Sequence, residues 1–256
     1  MTAPTLSEVL VRRSGIRAVT VVVPARDEGA TIGATIASLQ RAAARAWSAV
    51  GARVDALLVA DSCSDDTVAR AVARATTLRL RVAHVRLESA GTARSFGAAR
   101  AVRDLTAAGI SLDRGWIATT DADTTVPDTW LLEQLALAAA GYDGVAGTVD
   151  LNDWCALTAQ AQTSYRRMLR EARLGDGQHA DVFGANLGVR ASALARCGGF
   201  PFIEVGEDHA LWNRLRRAGC RLVSPVSLSV ETSSRRHGRA HGGLADLLAA
   251  LELGGA

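Results

Sequence analysis

Lysine is absent from this 256-residue chain, so all 29 of its Lys and Arg residues are arginines. Enzymes that form a Schiff base need a lysine amine, and P-loop proteins need a lysine that reaches the phosphates. Both classes are therefore excluded. The formal net charge of +3 is small and mixed in distribution, which argues against a nucleic-acid-binding protein.

Cysteines and long apolar runs are also scarce. The four cysteines lie far apart without a Cys-x-x-Cys pair, which argues against a zinc site or a disulfide framework and favours reduced thiols. The sequence has no run of roughly 18 apolar residues, the length of a membrane-spanning helix. The N-terminal residues also lack a basic segment followed by an apolar run. We therefore expect a cytoplasmic protein without a transmembrane segment, and peripheral membrane contact stays open.

Apolar strand patterns alternate with helical patterns through the first half of the chain. Short apolar runs end near Pro24, Ala60, Val85 and Thr120, and a turn and a helical pattern follow the first three. This alternation predicts an α/β fold with a Rossmann-like, mostly parallel central sheet flanked by helices. Ligands of such sheets bind at the carboxyl ends of the strands. The second half is less regular, with strands expected over 144–149 and 182–189.

Two aspartates, Asp121 and Asp123, follow the fourth predicted strand. Residues spaced i and i+2 can both reach one ligand once the backbone turns out of the sheet. A pair of carboxylates there suits Mg²⁺ or Mn²⁺ carrying a nucleotide diphosphate. Aspartates that merely cap or turn a strand end give the same pattern, so the pair alone leaves both interpretations open.

The chain carries five short motifs in order: VVVPARDE (21–28), ADSCSDDT (60–67), DAD (121–123), GGF (198–200) and GED (206–208). Together they resemble the family 2 glycosyltransferases of GT-A fold, over roughly residues 19–232. The resemblance implies a hexosyltransferase-like enzyme that takes a nucleotide-sugar donor, uses Mg²⁺ or Mn²⁺, and inverts the anomeric carbon by direct displacement. The acceptor would be a hydroxyl of a small molecule, a glycan or a lipid-linked molecule.

The donor side of the site falls in the first half of the chain. By the resemblance, Asp61 accepts a hydrogen bond from the nucleobase. Asp65 and Asp66 are better placed to cap the next helix, which leaves Asp61 free for the ligand. Glu28 has a second interpretation as the partner of a helix dipole. The loop residues that would meet the base or ribose are Pro24, Ala25, Arg26 and Glu28.

The metal and the diphosphate involve three further residues. By the resemblance, Asp121 contacts the nucleoside and Asp123 binds the metal. Arg94 matches the Gly-x-x-Arg region of the family and would touch Asp121 or the phosphates. An exposed helix arginine explains Arg94 equally well.

Asp208 is the predicted catalytic base, because direct displacement needs a carboxylate beside the acceptor hydroxyl. Glu207 would bind acceptor hydroxyls or cap the helix. An acidic first turn that a helix dipole favours is the alternative for both.

A basic cluster over 235–241 departs from the common family pattern. Arg236, with the other arginines of the cluster, is a candidate for the diphosphate. A C-terminal histidine completes the metal shell in some GT-A enzymes, so the resemblance makes His237 or His241 a candidate metal ligand. A solvated basic loop is the alternative. The chain lacks the Gln-x-x-Arg-Trp motif of processive members, so we expect a non-processive enzyme.

The predicted organisation is a single GT-A domain over 1–256. It divides into a nucleotide-sugar-binding half (19–125), an acceptor-binding half (126–232) and a C-terminal basic loop and helix (233–256). Two other functions remain open at this point. One is a retaining GT-A transferase, and the other is a catalytically degenerate sugar-nucleotide-binding protein.

Overall fold

The computed structural model describes residues 15–236, 238 and 243–253. Strands and helices alternate through these residues. The strands are β1 Ala18–Ala25, β2 Arg53–Asp61, β3 Arg79–Val85, β4 Gly115–Thr119, β5 Thr124–Thr125, β6 Gly144–Ala146, β7 Thr148–Leu151, β8 Leu187–Arg190, β9 Leu222–Val223 and β10 Ser229–Thr232. The helices are α1 Ile32–Val50, α2 Thr67–Arg74, α3 Ala90–Ala107, α4 Trp130–Ala139, α5 Ala159–Glu171, α6 Ala191–Arg196, α7 Glu207–Arg217 and α8 Leu244–Glu252.

The central sheet has seven strands in the order β3-β2-β1-β4-β8-β6-β9. Strands β1 to β4 run parallel to one another, and β8 runs antiparallel to both β4 and β6. A second sheet has the order β5-β10-β7. The predicted α/β fold with a mostly parallel central sheet is confirmed, and the loops after β1 to β4 meet at one edge.

Strand β1 shows why helices cover both faces of this sheet. Val21 and Val23 point into one core cluster with Ile36 of α1, whereas Val22 points into a second cluster with Ala98 of α3. Successive side chains of a strand point to opposite faces, so a continuous β-branched run fits only a strand buried on both sides. Every residue of β1 is buried.

The strand predicted over 144–149 is two strands in two different sheets. The break falls at Gly147, where a side chain would collide with the amide of Asn186 and the carbonyl oxygen of Leu228. The Asn186 amide donates to the carbonyl oxygens of Thr148 (2.8 Å) and Leu228 (2.9 Å) and so ties the two sheets together. The strand predicted over 182–189 begins only at Leu187, because a 3₁₀ turn through Asn186 precedes it.

Among the described helices, none combines the length and the apolar character needed to traverse a bilayer. The four cysteines are free thiols, as their spacing predicts.

Candidate active site

A cavity of about 590 Å³ lies at the carboxyl edge of the parallel strands. Its lining contains most of the residues that the sequence nominates. These are Pro24, Ala25, Arg26, Glu28, Asp61, Arg94, Asp121, Asp123, Glu207 and Asp208. The structure therefore brings residues from both halves of the chain to one site.

The loops after β1, β2 and β3 contain backbone in the left-handed region. Asp27 (φ 51°), Ser62 (φ 54°) and Glu88 (φ 56°) each adopt it, although the conformation is uncommon for residues other than glycine. Asp27 accepts hydrogen bonds from the backbone N–H groups of Ser64 (2.7 Å) and Asp65 (3.2 Å). The bond from Ser64 is the main reason that the pKa of Asp27 is lowered. Contacts with the surrounding residues thus hold these loops in unfavourable backbone conformations, which are common at functional sites.

Asp61 has structural partners that the sequence analysis did not anticipate. The side chain is buried, and its two oxygens accept from the backbone N–H groups of Leu87 (2.6 Å) and Ser89 (3.0 Å). Asp65 accepts from the N–H of Thr67 (2.9 Å) at the start of α2, whereas the side chain of Asp66, the N-cap residue, makes no capping hydrogen bond. Asp61 therefore shapes the loop that leads into α3, and its contact with a nucleobase stays a prediction.

Arg94 is buried rather than exposed, so the interpretation of an exposed helix arginine is wrong. Its Nη2 lies 2.6 Å from Asp121 Oδ1, and its Nη1 pairs with Oε1 of Glu207. A side chain at Gly184 would collide with the guanidinium group, since an added Cβ would stand 2.5 Å from Arg94 Cζ. We call Arg94, Asp121 and Glu207 the Arg94 cluster. It joins α3, the loop after β4 and the start of α7.

Glu207 neither caps α7 nor faces solvent. It is 5% exposed, and its Oε2 would stand 2.6 Å from a Cβ added at Gly91 of α3. Glycine at that position lets α7 approach α3 closely. A role for Glu207 in acceptor binding stays a prediction.

A second arginine bridges two more carboxylates of the cavity. Arg235 contacts both oxygens of Glu28 (Nη1–Oε2 2.9 Å, Nη2–Oε1 2.7 Å) and also Asp123 Oδ2 (Nη2, 3.0 Å). We call Arg235, Glu28 and Asp123 the Arg235 cluster. Its position follows from β10, which ends with Thr232 paired to Thr124 of β5.

The sequence analysis singles out Arg236 of the basic cluster as a substrate-binding residue, whereas the structure brings Arg235 into the cavity. Arg236 is exposed, lies 4.0 Å from Glu252 Oε1, and is not among the residues that line the cavity. Both arginines follow β10, which ends at Thr232, so placing them requires the β5–β10 pairing. No local pattern reveals that pairing, because β5 has only two residues.

Asp123 is a carboxyl group of the site with a strongly perturbed pKa. Burial raises its pKa to about 6, and the positive charge of Arg235 opposes part of that rise. Its Oδ1 accepts from the hydroxyl of Thr232 at 3.4 Å. A raised pKa in a cavity, with a charged partner in contact, is typical of functional sites.

The residues of the cavity fit a divalent cation through their chemistry. Asp121 and Asp123 offer oxygen ligands, and the four carboxylates of the Arg94 and Arg235 clusters exceed their two guanidinium groups by two charges when all are ionised. Over the described residues, no group of three His, Cys, Asp or Glu side chains could hold a metal alone, so water or a bound diphosphate would supply the remaining ligands. His237 and His241 lie outside the described residues.

Asp208 stands in the first turn of α7 and faces the cavity. Its Oδ2 accepts from the N–H of Gly184 (2.8 Å), and its Oδ1 accepts from the N–H of His209 (2.7 Å). These two bonds fix the carboxylate at the wall of the cavity. Each oxygen keeps lone-pair capacity for a further partner.

Solved structures of low sequence identity share this fold. S. aureus TarS 1-349 in complex with UDP-GlcNAc aligns with a TM-score of 0.63 at 13% identity, over 88% of this chain and 61% of that one. Mannosyltransferase PcManGT from Pyrobaculum calidifontis, in complex with GDP-Man and Mn²⁺, aligns with a TM-score of 0.58 at 16% identity, over 86% and 58%. Glucosyl-3-phosphoglycerate synthase from Mycobacterium tuberculosis, in complex with Mg²⁺ and UDP, aligns with a TM-score of 0.55 at 17% identity, over 99% and 84%.

These alignments establish the GT-A fold, and the chain spans about 61% of the TarS 1-349 structure. Among curated proteins, none matches the chain. The family model described as "Glycosyl transferase family 2" matches residues 20–198, which is well over half of the sequence. The chain belongs to glycosyl transferase family 2.

Proposed function

We propose that this domain transfers a sugar from a nucleotide-diphosphate sugar to an acceptor hydroxyl, with a divalent metal and with inversion at the anomeric carbon. One observation carries the proposal. Asp121 and Asp123, in the loop after β4, and Asp208, in the first turn of α7, line the same cavity. This arrangement provides carboxylates for a metal–diphosphate complex and a separate carboxylate for the acceptor.

The donor would be held by the loops at the carboxyl edge of the sheet. Asp121 and Asp123 would hold Mg²⁺ or Mn²⁺, which neutralises the departing diphosphate. Arg94 keeps Asp121 in place through the 2.6 Å contact. The relatives solved with GDP-Man and Mn²⁺, and with UDP and Mg²⁺, support this choice of ligands.

Asp208 would act as the base in a single displacement. The acceptor oxygen forms a bond to the anomeric carbon, the bond from that carbon to the diphosphate oxygen breaks, and the acceptor proton moves to a carboxylate oxygen of Asp208. The nucleoside diphosphate leaves, and the proton then passes to solvent. A displacement from one face inverts the anomeric carbon.

The decisive experiment measures metal-dependent donor binding by calorimetry. UDP, GDP and dTDP are titrated with and without Mn²⁺ into the native protein, Asp123→Ala and Asp128→Ala. Asp128 is a matched control, because its side chain is 57% exposed and pairs with Arg41 away from the cavity. Asp123→Ala should abolish the Mn²⁺-dependent part of binding, and Asp128→Ala should keep it. Unchanged binding in Asp123→Ala would exclude the metal assignment.

Product analysis separates the remaining alternatives. The anomeric configuration of the product, measured by NMR, distinguishes inversion from retention. A degenerate binding protein would bind the nucleotide sugar without any turnover. The combination of Asp121, Asp123 and Asp208 in one cavity argues against that alternative. The cytoplasmic location and the non-processive mode stay expectations.

A further inference from the structure

The Arg235 cluster places a positive charge where the proposed metal would bind. One guanidinium nitrogen, Nη2, lies 2.7 Å from Glu28 Oε1 and 3.0 Å from Asp123 Oδ2. The Glu28 and Asp123 side chains are 8% and 10% exposed, so these charges interact in a partly desolvated environment. Attraction between unlike charges is much stronger there than in bulk water.

A guanidinium group and a divalent cation cannot share Asp123 without strong repulsion. A free metal ion would therefore have to displace Arg235 from Asp123 and leave that arginine without one of its two anionic partners. A metal–nucleotide complex brings a diphosphate, which offers the displaced guanidinium a new partner with several oxygen acceptors. The two ligands should consequently bind with positive coupling.

We propose that Arg235 is an exchangeable counter-ion that excludes free metal from Asp123 and moves to the diphosphate when the metal–nucleotide complex binds. The inference rests on the proposed function for the identity of the ligands. It adds a role for Arg235 in controlling when a metal ion can bind Asp123. The side chain is suited to exchange because 32% of it is exposed, whereas the Arg94 side chain is 6% exposed.

The test measures Mn²⁺ binding without nucleotide, by electron paramagnetic resonance of the free ion. Arg235→Gln should bind Mn²⁺ at least about tenfold more tightly than the native protein, because the competing charge is gone. The same variant should bind nucleoside diphosphate plus Mn²⁺ more weakly. Arg236→Gln is the matched control, since the neighbouring arginine is not part of the cavity lining. It should behave like the native protein in both assays.

Equal or weaker Mn²⁺ binding in Arg235→Gln would overturn the counter-ion role. Arg235→Lys gives a second test, because it keeps the charge and should retain native exclusion of free Mn²⁺. Circular dichroism of both variants checks that they are folded. The Mn²⁺ titration needs neither donor nor acceptor, so it remains informative if the proposed transfer activity fails.

A second, independent observation concerns the loop that leads into α7. Phe202, Ile203 and Val205 are 64%, 40% and 50% exposed, which concentrates three large apolar side chains in four consecutive positions. Val205 also lines the cavity, as Asp208 does three residues later. The apolar surface is therefore continuous with the rim of the site. We call Phe202, Ile203 and Val205 the apolar rim.

The backbone beneath the apolar rim is anchored to the start of α3. The hydroxyl of Ser95 donates to the carbonyl oxygen of Pro201 (2.9 Å), and the hydroxyl of Ser89 donates to the carbonyl oxygen of Glu204 (3.2 Å). Gly91 lets this backbone approach closely, since an added Cβ would stand 2.7 Å from the Ile203 carbonyl oxygen. The loop thus presents its apolar side chains from a fixed backbone.

We infer that the acceptor is amphiphilic, with a hydroxyl at Asp208 and an apolar group that covers the apolar rim. This inference also rests on the proposed function and narrows its acceptor class. Because Asp208 and Val205 line the same cavity, an acceptor with its hydroxyl at the base can extend along the cavity toward the apolar rim. Burial of apolar surface there would contribute to affinity.

The test titrates methyl, butyl and octyl glucosides into the protein, with and without Mn²⁺ and nucleoside diphosphate. Affinity for the native protein should rise with chain length, by up to about fourfold per methylene group. In Phe202→Ser and in Ile203→Ser, the affinity should increase less with the length of the alkyl chain. Trp47→Ser is the control, since Trp47 is 63% exposed on α1, is not part of the cavity lining, and should not alter the dependence.

An affinity that does not depend on chain length, or a dependence unchanged in Phe202→Ser and Ile203→Ser, would overturn the inference. Binding to phosphatidylglycerol vesicles that requires Phe202 would instead identify the apolar rim as a membrane contact. Dimerisation that requires Phe202, measured by analytical ultracentrifugation, would identify it as a protein interface. Donor hydrolysis by water tests the proposed function separately, because it needs no apolar acceptor.

Discussion

Arg94 and Glu207 form an ion pair in which each side chain is only 6% exposed. The pair connects α3 to the first turn of α7, next to the predicted base Asp208. Arg94 also contacts Asp121 on the metal side of the cavity. One guanidinium group therefore ties the proposed donor side to the proposed acceptor side.

The stability of the fold should depend on both partners of this pair. Removing one partner of a buried ion pair typically costs about 3–5 kcal/mol, because the other charge is left without compensation. We expect Arg94→Leu to lower the free energy of unfolding more than Glu207→Leu does, since it leaves both Asp121 and Glu207 without their cationic partner. The double variant Arg94→Leu/Glu207→Leu should lose less than the sum of the single variants.

Urea unfolding of the two single variants and the double variant measures this coupling. The exposed pair of Arg70 and Asp66 provides the control, with side chains that are 58% and 54% exposed. Its removal should change the free energy of unfolding by about 1 kcal/mol or less. Strict additivity for Arg94 and Glu207 would show that the two charges do not stabilise each other.

Asp61→Asn should lower stability even without any ligand. The native carboxylate accepts from two backbone N–H groups, those of Leu87 and Ser89. An asparagine side chain offers one acceptor oxygen, and its NH₂ group would face the other donor. One partly buried N–H is then unsatisfied, at a cost of up to about 1–3 kcal/mol. A native melting temperature for Asp61→Asn would show that these bonds contribute little.

The first half of the fold could be predicted from sequence because its signals are local. Strand β1 is apolar except for Thr20, β2 contains the apolar run 56–60, and the two strands end at residues of the cavity, Ala25 and Asp61. Parallel strands buried on both faces leave few alternatives. The carboxyl edge, and the candidates on it, follow from that topology.

The rest of the site depends on contacts between distant residues. Arg94 is buried because Glu207, 113 positions later, pairs with it. Arg235 meets Glu28 across 207 positions, through a strand pairing with the two-residue β5. Helix and strand periodicities report which face of an element is apolar, but they do not report which charged residues meet across the fold.

The stability of Asp123→Asn relative to the native protein should depend on pH. The pKa of Asp123 rises from 3.8 to about 6 in the fold, so between these values the folded state binds a proton that the unfolded state does not. The contribution of Asp123 to the free energy of unfolding is therefore fully present below about pH 4, where the carboxyl group is protonated. It is lost as the pH rises through about 6, because the buried group then has to ionise. Asparagine stays neutral and avoids this loss.

The expected difference follows from the size of the shift. Asp123→Asn should match the native protein near pH 4 and exceed it by about 2–3 kcal/mol at pH 7.5 without metal. Urea unfolding at the two pH values measures the difference, with the exposed Asp128→Asn as control. A difference between variant and native that does not change with pH would contradict the raised pKa.

Asp208→Asn should impair turnover rather than donor binding. The amide keeps the size of the side chain and one acceptor oxygen, which can still receive the N–H of Gly184. It cannot take the acceptor proton, so kcat should fall by roughly 10²-fold or more while donor affinity changes by a few-fold at most. Steady-state kinetics and calorimetry on the same preparation separate the two effects, and a melting curve checks the bond to His209.

The exposed Glu204→Gln, on the same rim of the cavity, is the matched control and should keep its turnover. Near-native turnover in Asp208→Asn would assign the base to another group, and Glu207, held in its buried pair with Arg94, would have to break that pair to serve.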